Sequence, residues 1–171
     1  MLFRSLNEAA PVGHGPCAVT VARIFVASAP RAPQIEVPSV RVVAGKGIEG
    51  DRHFGKRKVP GENLTLVEAE ELEAFAREQG VPVDLSGSRR NVVTRGVRLN
   101  DLVGREFRLG TALLRGVELC EPCSVMGRLY ALPEWPGRRV VRQMLHRAGL
   151  RADVVQRSEE HTSELQSHSD L

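Results

Sequence analysis

The chain has 171 residues, 42% of them hydrophobic, 26% charged and only 4% aromatic, with a formal charge of +3 at neutral pH. That length supports one domain with a proper core and is short for two. No apolar run reaches the roughly 20 residues a membrane helix needs, the N-terminus has no continuous apolar core of signal-peptide type, and three cysteines (17, 120 and 123) are too few and too odd in number for a secreted disulfide framework; the expectation is a cytoplasmic protein with no membrane partner.

Residues 1–16, with Pro11, Gly13, Gly15 and Pro16 and no pattern, read as a loose segment ahead of a domain over 17–156. From Ala18 to Ala27 the chain is β-rich and ends at the Pro30 to Pro38 punctuation. A second short strand is expected over Val40 to Ala44, then a glycine-dense segment from Gly45 to His53 and a basic loop to Gly61. Asn63 to Leu66 reads as a strand. The spacing of Ala69, Leu72, Phe75 and Ala76 predicts a helix from about Val67 to Gln79, with Thr65 and Glu68 placed as a capping box and Gly80 and Pro82 as its stop. Asn91 to Thr94 is a further strand, Leu99 to Val103 a short segment closed by Gly104, and Glu106 to Leu109 with Thr111 to Leu119 a hairpin around Gly110. A second helix is predicted from Pro136 or Gly137 to Ala148, stopped by Gly149. Many short strands with two interposed helices, and no alternating β-α units, predict a mainly β (α+β) domain built as a barrel.

Residues 157–171 break with this pattern. They carry Arg157 against Glu159, Glu160, Glu164 and Asp170, a net −3 that leaves the rest of the chain at +6. The stretch Arg157 to His168 lacks strand or helix periodicity and resembles the translation of a sequencing-adapter oligonucleotide, so it is expected to be an adapter-derived or disordered tail without a site. Among the 24 basic residues only Lys46, Lys56 and Lys58 are lysines. A GC-rich gene produces that excess of arginine without functional selection; the other reading is an arginine-lined anion site, since guanidinium forks match phosphate oxygens. Nucleic acid is not an expected partner, because the few aromatics are not interleaved with the basic residues.

Cys120-Glu121-Pro122-Cys123 ends the last predicted strand. Two cysteines at this spacing can share a metal, form a redox disulfide, or leave one thiol as the working nucleophile. Zinc needs four ligands, and only His14 and Cys17 are at hand to supplement the pair. The thiolate is the reactive and metal-binding form, and nearby positive charge favours it; Arg89 and Arg90 supply that charge if the fold brings them close. Arg89, Arg90 and Asn91, with Thr94 further along the strand, are candidate anion contacts, against the plain alternative of surface arginines flanking a strand. In Gly47 to His53 the glycines serve turn geometry, Asp51 is expected to anchor the turn through backbone N–H groups, and His53 is a candidate for the pocket. Lys46 is a further candidate phosphate contact, although the stretch lacks the ending of a P-loop.

Three segments in order, Gly47-Ile48-Glu49-Gly50-Asp51-Arg52-His53, Arg89-Arg90-Asn91-Val92-Val93-Thr94-Arg95-Gly96-Val97 and Cys120-Glu121-Pro122-Cys123, with Leu99 to Phe107 between the last two, resemble the MOSC domain, the module related to the C-terminal part of molybdenum-cofactor sulfurases. The resemblance runs from about Val19 to Val155. It implies a MOSC-type β-barrel and a pocket that handles the molybdenum cofactor (molybdopterin) or sulfur destined for it. It puts the working cysteine at Cys123, as persulfide carrier or molybdenum ligand, and the pterin contacts at Arg89, Arg90 and Asn91. Two chemistries come with the family: sulfur transfer, fed by a separate pyridoxal-phosphate cysteine desulfurase, and reduction of N-hydroxylated compounds with a redox partner protein. The rival classes are a non-catalytic binding module and a zinc-stabilised one. Relatives continue past the second helix into a glycine-containing strand; here residues 157–171 stand in its place, so the resemblance implies a barrel short of its final strand, with an unpaired edge.

Overall fold

The computed structural model describes residues 17–56, 58–155 and 162–167; the segment 1–16 expected to be loose lies outside them. The strands are β1 (Cys17–Val26), β2 (Ile35–Glu36), β3 (Ser39–Val43), β4 (Gly47–Ile48), β5 (Leu64–Glu68), β6 (Val92–Arg95), β7 (Glu106–Leu109), β8 (Ala112–Leu119), β9 (Leu150–Val154) and β10 (Thr162–Gln166), and the helices α1 (Ala69–Gln79), α2 (Ser124–Leu129) and α3 (Gly137–Gln143). Six strands close a mixed barrel in the order β1-β6-β5-β9-β8-β7, with β7 returning to β1. The pairs β5–β6 and β1–β7 are parallel and the other four antiparallel.

Strand periodicity splits the apolar residues into two cores. On β5, Leu64 and Leu66 face the barrel interior while Val67 joins the outer cluster; on β6, Val92 faces in and Val93 out. The inner core also takes Val19, Val21 and Ile24 of β1, the change of parity following from a register shift between Val21 and Arg23. Outside, α1, α2 and α3 cover one flank, where Phe75 meets Tyr130 and Trp135 edge to face with ring centroids 5.9 and 5.6 Å apart. A smaller sheet, β10-β3-β4, lies beside the barrel.

The mainly β barrel is as expected, and four details differ. The unpaired edge does not occur: Leu150–Val154, directly after the α3 region, supplies a strand between β5 and β8, and the ring closes. Its entry requires glycine, since a Cβ on Gly149 (φ 114°) would lie 1.9 Å from the Leu66 carbonyl oxygen. Part of the tail expected to be without regular structure, Thr162–Gln166, pairs antiparallel with β3, and Leu165 is buried in the inner core. The capping box does not form: Glu68 is the N-cap residue of α1 without a side-chain cap bond, because its carboxylate accepts the Leu99 N–H (2.8 Å) and the Thr65 hydroxyl donates to Asn91 (3.1 Å). Three helices stand where two were expected. The last is shorter than predicted because His146 turns left-handed (φ 62°) and its N–H goes to the Glu121 carboxylate rather than along the helix.

Candidate functional site: a thiol on an arginine-lined cavity

The ends of β5, β6 and β8 and the loops after β1 and β4 meet at a cavity of about 340 Å3. Into it the fold brings Arg31, Arg52, Arg89, Arg90 and Arg151, with His53, Asn91, Thr65, Cys120 and Cys123. Of the residues singled out in the sequence, Cys123, Arg89, Arg90, Asn91 and His53 line it; Lys46, Asp51 and Thr94 do not.

The two cysteines are in opposite states. Cys123 is exposed and Cys120 buried, both as free thiols. Burial pushes the Cys120 thiol up, against the pull of Arg90 and Arg151, which keeps it protonated and inert. The loop between them is held by the buried Arg90, whose Nε donates to the Ala148 carbonyl (2.8 Å) and whose Nη2 donates to those of Cys120 (2.9 Å) and Glu121 (3.2 Å). From the other side His146 holds Glu121 through its N–H (2.9 Å) and ring Nδ1 (2.7 Å). Arg90, expected as an anion contact, is therefore chiefly a clasp on the cysteine loop.

Asp51, buried beneath the cavity, is the hub of a second network. Its carboxylate accepts the N–H groups of His53 (3.0 Å) and Ala27 (3.2 Å) and the Asn91 amide (3.1 Å). Asn91 in turn accepts the Thr65 N–H and hydroxyl (3.2 and 3.1 Å). These bonds tie the turn after β4 to β1, β5 and β6, so Asn91 and Asp51 hold the floor. The Thr94 hydroxyl donates to the Val67 carbonyl (3.2 Å), away from the cavity, and Lys46 is exposed on the turn before β4.

Above this floor the charge is only partly compensated, with Glu118 3.4 Å from Arg151 and Asp51 at the far limit of an ion pair with Arg52. Arg52 has a side chain only 14% exposed, its Nη1 is buried without a hydrogen-bond partner, and the nearest carboxylate oxygen, on Asp51, is 4.0 Å away. Burial pulls its pKa down, offset by Asp51 and reinforced by Arg89. His53 is likewise pulled down by burial and then by Arg52, so its imidazole is neutral at pH 7. A guanidinium donor without a partner beside an imidazole is an arrangement able to receive an anion. Backbone strain gathers here too: among the described residues, the non-glycines with positive φ are Arg31 (66°), Arg89 (62°) and His146 (62°), two on the cavity and one on the clasp of the cysteine loop.

Sequence reasoning missed Arg31, Arg52, Arg151 and Thr65. Arg52 carried a signal, since it lies inside the Gly47–His53 segment between two chosen residues; Arg151 lies on β9 outside every motif and had none. Among the described residues no group of three or more His, Cys, Asp or Glu side chains gathers to hold a metal, and the His14 and Cys17 side chains weighed for zinc lie outside them. No helix of the described residues is long and apolar enough to cross a membrane.

A family model described as the MOSC domain matches residues 49–163. No curated protein sequence matches the chain. Among solved structures it is similar to the YuaD protein from Bacillus subtilis (TM-score 0.71, 21% identity, covering 87% of this chain and 91% of that one). It is also similar to YiiM from Geobacillus stearothermophilus (TM-score 0.64, 18% identity, 86% and 71%) and YiiM from Escherichia coli (TM-score 0.53, 18% identity, 84% and 65%). At these identities the likeness speaks for the fold.

Proposed function

Because the chain belongs to the MOSC domain family, we propose that it binds the molybdenum cofactor, with the Cys123 thiolate as a ligand of the metal and the cavity arginines on the anionic pterin phosphate. The observation that carries this reading is one cavity holding both an exposed thiol and a buried guanidinium nitrogen without a partner. The donor set fits the group: a soft thiolate suits a molybdenum centre, and Arg52, with Arg31, Arg89 and Arg151, suits a phosphate. The cavity volume falls in the usual range for small-molecule sites.

In this reading the protein's own residues divide the work. Cys123 holds the metal, while Cys120, buried and protonated, does not compete. Arg90 and the Glu121–His146 pair fix the loop that presents Cys123. His53, neutral and beside Arg52, is placed to hold a proton at the cavity and to gain one when an anion binds. The cofactor, when bound, supplies the exchange of an electron pair, which suits reduction of an N-hydroxylated compound. A second reading, sulfur transfer from a pyridoxal-phosphate cysteine desulfurase, is favoured by the exposure of Cys123 to a partner protein.

The test is metal and pterin content of the chain produced in a host that makes the cofactor, for wild type and Cys123→Ala. Stoichiometric molybdenum in the wild type, lowered at least about tenfold in the variant, is the expected result. A wild type that carries neither molybdenum nor pterin overturns it, and a persulfide on Cys123 in that sample identifies the carrier instead.

A further inference from the structure

The motif segment Leu99 to Phe107 contributes no residue to the cysteine cavity, yet it is built as a rigid mount beside it. Leu99–Leu102 form one turn of 3-10 helix ahead of β7. Leu99 and Leu102 enter the inner core, and the Leu99 N–H is held by the Glu68 carboxylate (2.8 Å). On its other side the turn lies against β8 so closely that a Cβ on Gly116 would sit 2.2 Å from the Leu102 carbonyl oxygen. The Gly104 N–H donates to the Gly116 carbonyl there (2.9 Å). A turn fixed to β5 at one end and β8 at the other presents its side chains without play.

From this mount Asn100 reaches the far end of the α3 region. Its side-chain Nδ2 donates to the His146 carbonyl (2.9 Å), 46 residues further along the chain. His146 is left-handed (φ 62°), a backbone conformation that persists in a non-glycine residue only where the surroundings hold it. In that conformation its N–H and its ring Nδ1 both meet the Glu121 carboxylate (2.9 and 2.7 Å). The Glu121 carbonyl is held in turn by Arg90 (3.2 Å). Pro122 separates Glu121 from Cys123; with its φ fixed by the ring, it passes a displacement of Glu121 on to the thiol residue instead of absorbing it.

We propose that Asn100 is a positioning residue for Cys123. Its amide holds the left-handed His146 turn, that turn holds Glu121, and Glu121 fixes the loop that presents the thiol. The proposal rests on the reading of Cys123 as the working thiol. The chemistry requires an amide at position 100: a carboxylate of the same shape has no proton to donate and would set negative charge against the His146 carbonyl.

The test uses the full chain, free of cofactor, and reads the loop through its buried thiol. Cys120 is buried while the loop is closed, so its rate of alkylation by iodoacetamide, mapped to the peptide by mass spectrometry, reports how often the loop opens. Alkylation about three- to tenfold faster is expected in both Asn100→Ala and Asn100→Asp. Asp101→Ala, exposed on the same turn, is expected to label at the wild-type rate, and Tm stays within about 3 °C of wild type in all three. Glu121→Ala opens the loop by itself, and adding Asn100→Ala to it is expected to change nothing more. Wild-type labelling in the Asn100 variants overturns the proposal. So does a gain that multiplies that of Glu121→Ala, because Asn100 then acts by another route. Faster labelling that comes with a Tm loss beyond about 5 °C overturns it as well, since the turn then only supports the fold. Molybdenum content is measured separately: a wild type without it sinks the cofactor reading and leaves the labelling result to stand on its own.

Discussion

Arginines on two sides of the molecule lead different lives. Around α1, Arg98 and Arg147 converge on Glu71 (2.9 and 2.6 Å), Arg147 also reaches Glu78 (3.1 Å), and Arg95 pairs with Glu73. At the cysteine cavity Arg52 keeps a buried nitrogen without a partner, and Arg31 and Arg89 hold left-handed backbones, which cost about 1–2 kcal/mol each. Arginine is abundant on both sides, and its abundance says little about function. How closely carboxylates approach separates arginines that stabilise the fold, such as Arg147, from Arg52, whose only carboxylate neighbour is 4.0 Å away.

Arg90 stands between the two classes, and its replacement has the largest expected effect. Arg90→Leu leaves the carbonyls of Ala148, Cys120 and Glu121 without their donor, at a cost of about 3 kcal/mol, or about 6–12 °C in Tm. Thermal denaturation reads the loss, and faster alkylation of Cys123 reads the freed loop. A shift under about 2 °C would remove Arg90 from the structural class.

Glu71→Gln tests the compensated side. Burial opposes ionisation of Glu71, yet the bonds from Arg147 and Arg98 hold its carboxyl below the usual range. A depressed carboxyl contributes stability above its unfolded pKa of about 4.3 and loses it as pH falls through the folded value. The variant is therefore expected to be about 1–2 kcal/mol less stable at pH 7 and to converge with wild type below about pH 4. Denaturant melts at the two pH values decide; a constant difference breaks the assignment.

Arg52→Ala is expected to change stability least, within about 1 kcal/mol, because a buried guanidinium with an orphaned nitrogen contributes little. Sulfate affinity, by contrast, falls several-fold when measured by calorimetry. If the variant melts as early as Glu71→Gln while sulfate binding persists, Arg52 belongs with the α1 arginines and the contrast between the two sides fails.

Much of the barrel was legible because its signals are local. The alternation in β1, β5, β6, β7 and β8 and the stripe of α1 each follow from residues close in the chain, as does the αL stop at Gly80 (φ 70°). The six residues of α2, interrupted by Gly127, are too short for a stripe. The alternating Leu150, Ala152 and Val154 of β9 were passed over, because five residues carry little signal until closure between β5 and β8 gives them a place. The capping pair was misread because each member had a stronger partner far away, Asn91 for Thr65 and Leu99 for Glu68.

The sequence by itself determined a mainly β barrel, the ordered motifs that mark the family, and Cys123 as the cysteine to watch. Tertiary structure alone decided that Cys120 is buried while Cys123 is exposed, and that Arg90 and Asn91 are committed to holding the loop and the floor. It also gathered Arg31, Arg52 and Arg151 from three separate elements around the thiol. The reason is physical: periodicity and turn chemistry act over a few residues, whereas burial, unpaired donors and charge balance depend on which distant groups the closed barrel brings within reach.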